Sequence, residues 1–156
     1  MLRLYEKLNC TTFTTEEKEA CLPLVRKLMG INNESIRNSF LSLEDDVENM
    51  NEEKDFFLKT ALQLVYLSAG FCRQSWEKEP FKKGLEAIED IMWNLVIADK
   101  STGEELLGRL LIIRAVMSLA NCEEAMLVCY QLLSMLGTEY LKNYFNDYVK
   151  SEYIKL

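Results

Sequence analysis

The chain has 156 residues and a net charge of −7, and it contains no histidine, 2 prolines and 6 glycines. Its Lys and Arg residues are scattered among acids, which argues against a nucleic-acid partner. The absence of histidine excludes Ser-His-Asp and Cys-His catalytic arrangements and His-based zinc sites. Because turn-rich β folds use more proline and glycine, we expect an all-α fold, in a single domain over residues 1–156.

The cysteines and short motifs also bear on chemistry and location. The 5 cysteines are an odd number with no CxxC pair, so neither a disulfide framework nor a zinc site is indicated. No Gly-rich phosphate loop is present, and the acids fall on expected polar helix faces or caps. We therefore expect a protein that is not an enzyme, with no catalytic residue, cofactor or metal. The cysteines indicate a reducing compartment, the cytosol or the nucleus, and we expect a cytoplasmic protein. Without a signal peptide or an apolar run of about 18 residues, we expect no membrane span.

Apolar periodicity and capping residues predict about seven helices. Near the N-terminus, Thr14 and Glu17 have the spacing of a capping box. The helix that follows would end at Gly30, and Pro23 marks either a kink or a later start. The next helix is predicted over residues 33–50, with a narrow apolar stripe and an acidic outer face, so it should lie on the surface.

Two later segments are apolar nearly all round. Residues 53–76 and 104–120 leave almost no polar face, which is typical of helices buried on most sides. Amphipathic helices are predicted to start near Pro80, at Asn121 and at residue 139. In a simple four-helix bundle every helix has a single apolar stripe. The pattern therefore predicts a globular bundle in which amphipathic helices surround a buried central helix.

Three short motifs occur in a fixed order along the chain. They read L-V-Y-L-S-A-G-F at 64–71, L-L-G-R at 106–109 and F-N-D-Y-V at 145–149. In this order they resemble the third, first and second homology motifs of the Bcl-2 apoptosis-regulator family. The third motif lacks its Asp, where Ala69 stands, and the first has two leucines in place of Asn-Trp. The resemblance covers roughly residues 15–153.

A second alignment of the third motif stays open. The segment F-L-S-L-E-D-D-V at 40–47 fits it about as well and contains Asp45. Under that alignment, the buried helix at 53–76 would correspond to the central helix of the family. We prefer the alignment at 64–71 because all three motifs then occur in the order found in the family.

The resemblance implies a Bcl-2-like bundle with a hydrophobic groove that binds the amphipathic helix of a pro-apoptotic family member. The protein would then be a cytoplasmic inhibitor of apoptosis. Arg109 would pair with an acidic residue of the bound helix, and Gly108 would allow its backbone to approach closely. The implied groove walls are apolar: Phe71, Leu85, Ile88, Met92 and Val96.

Two alternatives have different functional surfaces. Some viral Bcl-2-like folds have no usable groove and bind innate-signalling proteins through an outer face, often as dimers. Residues 76–81 and the acidic helix at 33–50 would serve there, and a homodimer would be expected. A groove filled by its own side chains would favour this alternative. The other is an unrelated helical adaptor or enzyme subunit.

Overall fold

The computed structural model describes residues 2–38, 42–72 and 78–153, and all regular secondary structure in these ranges is helical. The predicted all-α class is therefore confirmed for the described part of the chain. The helices are α1 (Leu2–Cys10), α2 (Thr15–Ala20), α3 (Leu22–Asn38), α4 (Ser42–Glu48), α5 (Phe56–Cys72), α6 (Lys78–Ala98), α7 (Gly103–Ala120), α8 (Ala125–Leu136) and α9 (Thr138–Tyr153). None of these helices combines the length and apolar character that a membrane crossing needs.

The predicted capping box is present at the start of α2. The backbone N–H of Glu17 donates to Thr14 Oγ1 at 3.2 Å, and the N–H of Thr14 donates to a Glu17 carboxylate oxygen at 2.9 Å. Two donors that no helical carbonyl can reach are thus satisfied. This cap fixes where the chain enters the bundle.

The boundaries predicted for α3 are partly wrong. Pro23 is its second residue, so the alternative of a later helix start is confirmed. Gly30 does not end the helix, and Asn33 does not start one, because α3 continues to Asn38. Buried apolar side chains occur on both sides of the glycine. Their packing exceeds the cost of about 1 kcal/mol for glycine inside a helix.

The helix predicted over residues 33–50 is divided between the end of α3 and the short α4, and residues 39–41 lie outside the described part. In α4, Leu43 and Val47 are buried, while Glu44, Asp45 and Glu48 are exposed. The predicted acidic outer face is therefore present, on α4.

The central helix is α7. Every side chain of residues 110–120 is buried, including those of Arg114 and Ser118. This helix packs against α2, α3, α5, α6 and α8. Burial on all sides explains why its sequence has no polar face, and it confirms the buried helix predicted at 104–120.

The prediction for α5 is wrong in one respect. A stripe of its side chains is buried, with Phe57, Leu58, Ala61, Leu62 and Val65 packed against the core. Its opposite side is not covered: Phe56 is 58% exposed and Leu67 is 63% exposed. An apolar sequence does not reveal whether a neighbour covers each face, and here α4, α6 and α7 leave one face open.

The C-terminal helices tie the two ends of the chain together. Asn121 ends α7 and does not start α8, whose N-cap is Glu124. The hydroxyl of Tyr140 donates to the Thr15 carbonyl at 3.4 Å, and that of Tyr148 donates to the Leu22 carbonyl at 3.3 Å. These bonds hold α9 against the start of α2 and α3.

Candidate functional site

An open cavity of about 750 Å³ lies between the α2–α3 junction, the start of α5 and the first half of α7. Its volume falls within the usual range of ligand pockets. Leu24, Phe57, Gly108 and Ile112 form much of the uncharged lining. The charged lining residues are Glu53, Lys54, Asp55, Glu104, Glu105 and Arg109. We call this the Arg109 cavity.

The guanidinium of Arg109 is held by its own chain. Nη1 lies 2.7 Å from Asp99 Oδ2, and Nη2 lies 3.0 Å from Glu105 Oε1. Nη1 also donates to the Leu95 carbonyl at 3.3 Å. The charge stacks on Phe57, with 4.8 Å from Cζ to the ring centroid. An incoming carboxylate would compete with Asp99 and Glu105 for this guanidinium, and it could replace one of them.

That replacement is physically accessible. The side chain of Arg109 is 17% exposed, whereas those of Asp99 and Glu105 are 49% and 59% exposed. Ion pairs with such exposed carboxylates contribute little free energy, about 0–1 kcal/mol each. The contacts with Phe57 and the Leu95 carbonyl would still position the guanidinium.

Gly108 lies where α3 packs on α7 and also lines the Arg109 cavity. A Cβ built on this residue would lie 3.4 Å from Leu24 Cδ2, which is about an ordinary van der Waals contact with the end of a flexible side chain. The packing of α3 on α7 therefore does not itself require a glycine at this position.

The expected groove walls are mostly core residues. Leu85, Ile88, Met92 and Val96 are 8%, 4%, 1% and 3% exposed. They form the inward stripe of α6, which packs against α5 and α7. The structure thus places these four side chains in the core and not on an open wall. The side chain of Phe71 lies outside the described part of the structure.

Val96 also lines a second cavity, of about 600 Å³, between α1 and the end of α6. Gly108 and Arg109 share the first cavity, so the expected site residues are divided between two places. Trp93 and Ile97 line the second cavity beside Val96.

Only part of this site could be predicted from the sequence. Glu105 precedes Arg109 by four residues, the spacing at which Glu and Arg pair on a helix, so that contact was predictable. The contributions of Leu24 and Phe57 depend on how α3 and α5 approach α7. No local pattern marks them.

Cys21 lines the Arg109 cavity but is not poised as a nucleophile. Burial raises the pKa of its thiol to about 11, and the neighbouring Glu104 and Glu17 carboxylates act in the same direction. The thiol is therefore protonated at neutral pH, and it lies 3.8 Å from the Glu104 carbonyl oxygen. Among the described residues, no group of three or more Cys, Asp or Glu side chains could hold a metal ion.

Comparisons with protein-family models, with curated proteins and with solved structures find no match to this chain. The Bcl-2 resemblance therefore rests on the three motifs. The structure places them on α5, α7 and α9, although residues 68–71 of the first have no described side chains. Of the alternative segment at 40–47, residues 40 and 41 lie outside the described part.

Proposed function

We propose that this protein is a non-enzymatic, Bcl-2-like inhibitor of apoptosis that binds the amphipathic helix of a pro-apoptotic partner. One observation supports this most strongly. Gly108 and Arg109, the residues matched to the family's first motif, line one open cavity on the buried central helix. The uncharged lining would receive apolar side chains of the partner helix, and the charged lining would orient it.

The partner's acidic residue would exchange with Asp99. In the free protein Asp99 holds Arg109 at 2.7 Å, and in the complex the partner's carboxylate takes that place. The bound helix therefore competes with an internal anion. This competition predicts opposite effects for removing Arg109 and for neutralising Asp99.

The proposal is tested by calorimetric titration with peptides of the pro-apoptotic death motif. Arg109→Ala should weaken binding about 10-fold to 100-fold, because a charge-assisted contact is lost. Asp99→Asn should strengthen binding about threefold, because the competing charge is gone. The matched control is Arg3→Ala, which breaks the exposed Arg3–Asp90 pair on another surface and should leave affinity unchanged.

Absence of binding for every peptide would reject this function. So would an Asp99→Asn variant that weakens binding as much as Arg109→Ala, since both residues would then act only through the fold. Circular dichroism melting of each variant separates loss of folded protein from loss of affinity.

A second candidate function is binding of an innate-signalling protein through an outer face, as a dimer or as a monomer. The observation that favours it is the burial of Leu85, Ile88, Met92 and Val96, which leaves them no open wall. It is tested by light scattering of the purified chain and by binding assays with such proteins. Binding that Arg109→Ala leaves unchanged would favour this candidate over the first.

A further inference from the structure

The open side of α5 has two large apolar side chains on one line. Phe56 and Leu67 are 58% and 63% exposed and lie eleven residues apart, which is three helical turns or about 16 Å. Thr60 and Gln63 occupy the intervening positions, four and seven residues after Phe56, and Gln63 is exposed. We call the line of these four residues the outer α5 face. It lies opposite the buried stripe of the same helix.

Each end of the outer α5 face borders a hollow. Leu67 and Gln63 line a cavity of about 380 Å³ with Val47, Tyr66 and the acidic side of α4. Phe56 borders the Arg109 cavity at the other end. Apolar side chains beside hollows are the features that receive the anchors of an amphipathic helix, which recur at i, i+4, i+7 and i+11.

The surroundings of this face are acidic at its Leu67 end. Glu44 and Glu48 line the hollow at Leu67, and the hydroxyl of Tyr66 donates to Glu44 at 3.3 Å. The negative charge of Glu44 raises the pKa of Tyr66 above its ordinary value.

Near Phe56 the charges balance. Glu52, Glu53 and Asp55 stand there with Lys54, and Lys59 and Lys27 pair with Glu52 and Asp55, each at 3.4 Å. The excess of negative charge is therefore at the Leu67 end of the face, where a cationic partner is complementary and a phosphate backbone or an anionic membrane is repelled.

We propose that the outer α5 face, together with the acidic side of α4, binds a cationic amphipathic helix of a partner protein. The bound helix places two apolar side chains, eleven residues apart, against Phe56 and Leu67. Lys or Arg residues beside the anchor at Leu67 face Glu44 and Glu48. This surface meets the Arg109 cavity at Phe56. Its occupant is cationic, whereas the helix proposed for the Arg109 cavity presents an acidic residue to Arg109.

The test uses the full chain and a fluorescent designed helix of about 18 residues, long enough for both anchors. Its leucines occupy i, i+4, i+7 and i+11, and its flanks are lysine. The control peptide has glutamate in place of every lysine. By fluorescence anisotropy the lysine peptide should bind at least about tenfold more tightly, and this preference should shrink as salt increases.

Matched variants locate the site. Leu67→Ala should weaken the lysine peptide about tenfold, and Glu44→Gln with Glu48→Gln about fivefold. Leu127→Ala removes a side chain that is 54% exposed on α8, and it should change affinity less than about twofold. Arg109→Ala should not weaken the lysine peptide, because no contact of that peptide needs a cation of the protein, whereas it should weaken the peptides of the proposed function.

Three results would overturn the proposal. The first is equal binding, or no binding, of the two peptides. The second is a Leu127→Ala variant that weakens binding as much as Leu67→Ala. The third is a dimer of the free chain, seen by light scattering, that Leu67→Ala dissociates, because the occupant would then be a second copy. The replaced leucines are exposed, so each variant is expected to fold, and melting curves verify it.

Discussion

Arg109 on the central helix and Asp99, just after the end of α6, form an ion pair with 2.7 Å between Nη1 and Oδ2. The same nitrogen donates to the Leu95 carbonyl in the last turn of α6. A cation is favourable there because the helix dipole is negative at its C-terminal end. Arg109 therefore joins α6 to α7 in the free protein, and it also lines the cavity proposed to receive a ligand.

Replacing Arg109 by Met should reduce the free energy of unfolding by about 1–2 kcal/mol. The variant loses two ion pairs and the stacking on Phe57, but both carboxylates are about half exposed, so solvent screening limits the loss. Urea denaturation measures the change. Arg3→Met is the control, since both members of its pair with Asp90 are more than half exposed and its effect should be below about 0.5 kcal/mol. Equal effects of the two variants would contradict the structural role of Arg109.

A second arginine makes a more buried pair. Arg114 lies within α7 with its side chain 8% exposed, and its Nη2 is 3.2 Å from Glu123 Oε2. Glu123→Gln should lower stability by about 1–3 kcal/mol, because a buried guanidinium would lose its counter-charge. Adding Arg114→Met to that variant should recover part of the loss, since no unpaired charge remains. A fully additive double variant in urea denaturation would show that the two residues do not interact.

The burial of α7 was predictable because a helix without a polar face is stable in water only when neighbours cover it. The same argument failed for α5, where Phe56 and Leu67 are exposed. A run of apolar residues specifies that a helix can be buried, but the positions of the other helices decide which faces are. The exposed apolar residues are therefore the part of the surface that only the structure could reveal.

Local sequence patterns predicted some helix ends and contacts correctly and others wrongly. The capping box at Thr14 depends on contacts three residues apart, so sequence sufficed. The helix end predicted at Gly30 is wrong because the packing on both sides of this residue continues α3. At Arg109, the pair with Glu105 follows from helical spacing, whereas the pair with Asp99 depends on how the turn after α6 is placed.

We expect a substitution of the buried Asn32 to stabilise the protein. Its side chain is on α3, the residue is 2% exposed, and neither Oδ1 nor Nδ2 has a hydrogen-bond partner. Burial of unpaired polar atoms costs about 1–3 kcal/mol, so Asn32→Leu, whose side chain has the same number and branching of heavy atoms, should raise the free energy of unfolding by that order. Ser35→Ala on the same helix is the control. Its hydroxyl donates to the Ile31 carbonyl at 2.9 Å, so its removal should not stabilise.

Alkaline pH should destabilise the protein through two buried thiols. Burial raises the pKa of Cys21 and of Cys129 from 9.0 to about 11. Below pH 9.0 both thiols are protonated in the folded and unfolded states, so their contribution to the free energy of unfolding is fully retained. Between pH 9.0 and about 11 the unfolded thiols ionise while the folded ones keep their protons, and stability falls as pH rises. Each thiol should account for a loss on the order of 2 kcal/mol over this range.

The measurement is the slope of unfolding free energy against pH, not its absolute value, because Cys→Ala in a core also leaves a cavity. The Cys21→Ala, Cys129→Ala double variant should have a shallower alkaline slope than the wild-type protein. Cys10→Ala removes an exposed thiol and should keep the wild-type slope. If the double variant and the wild-type protein lose stability in parallel, other groups cause the alkaline loss. The next residue to test would then be Tyr148, because burial also raises its pKa.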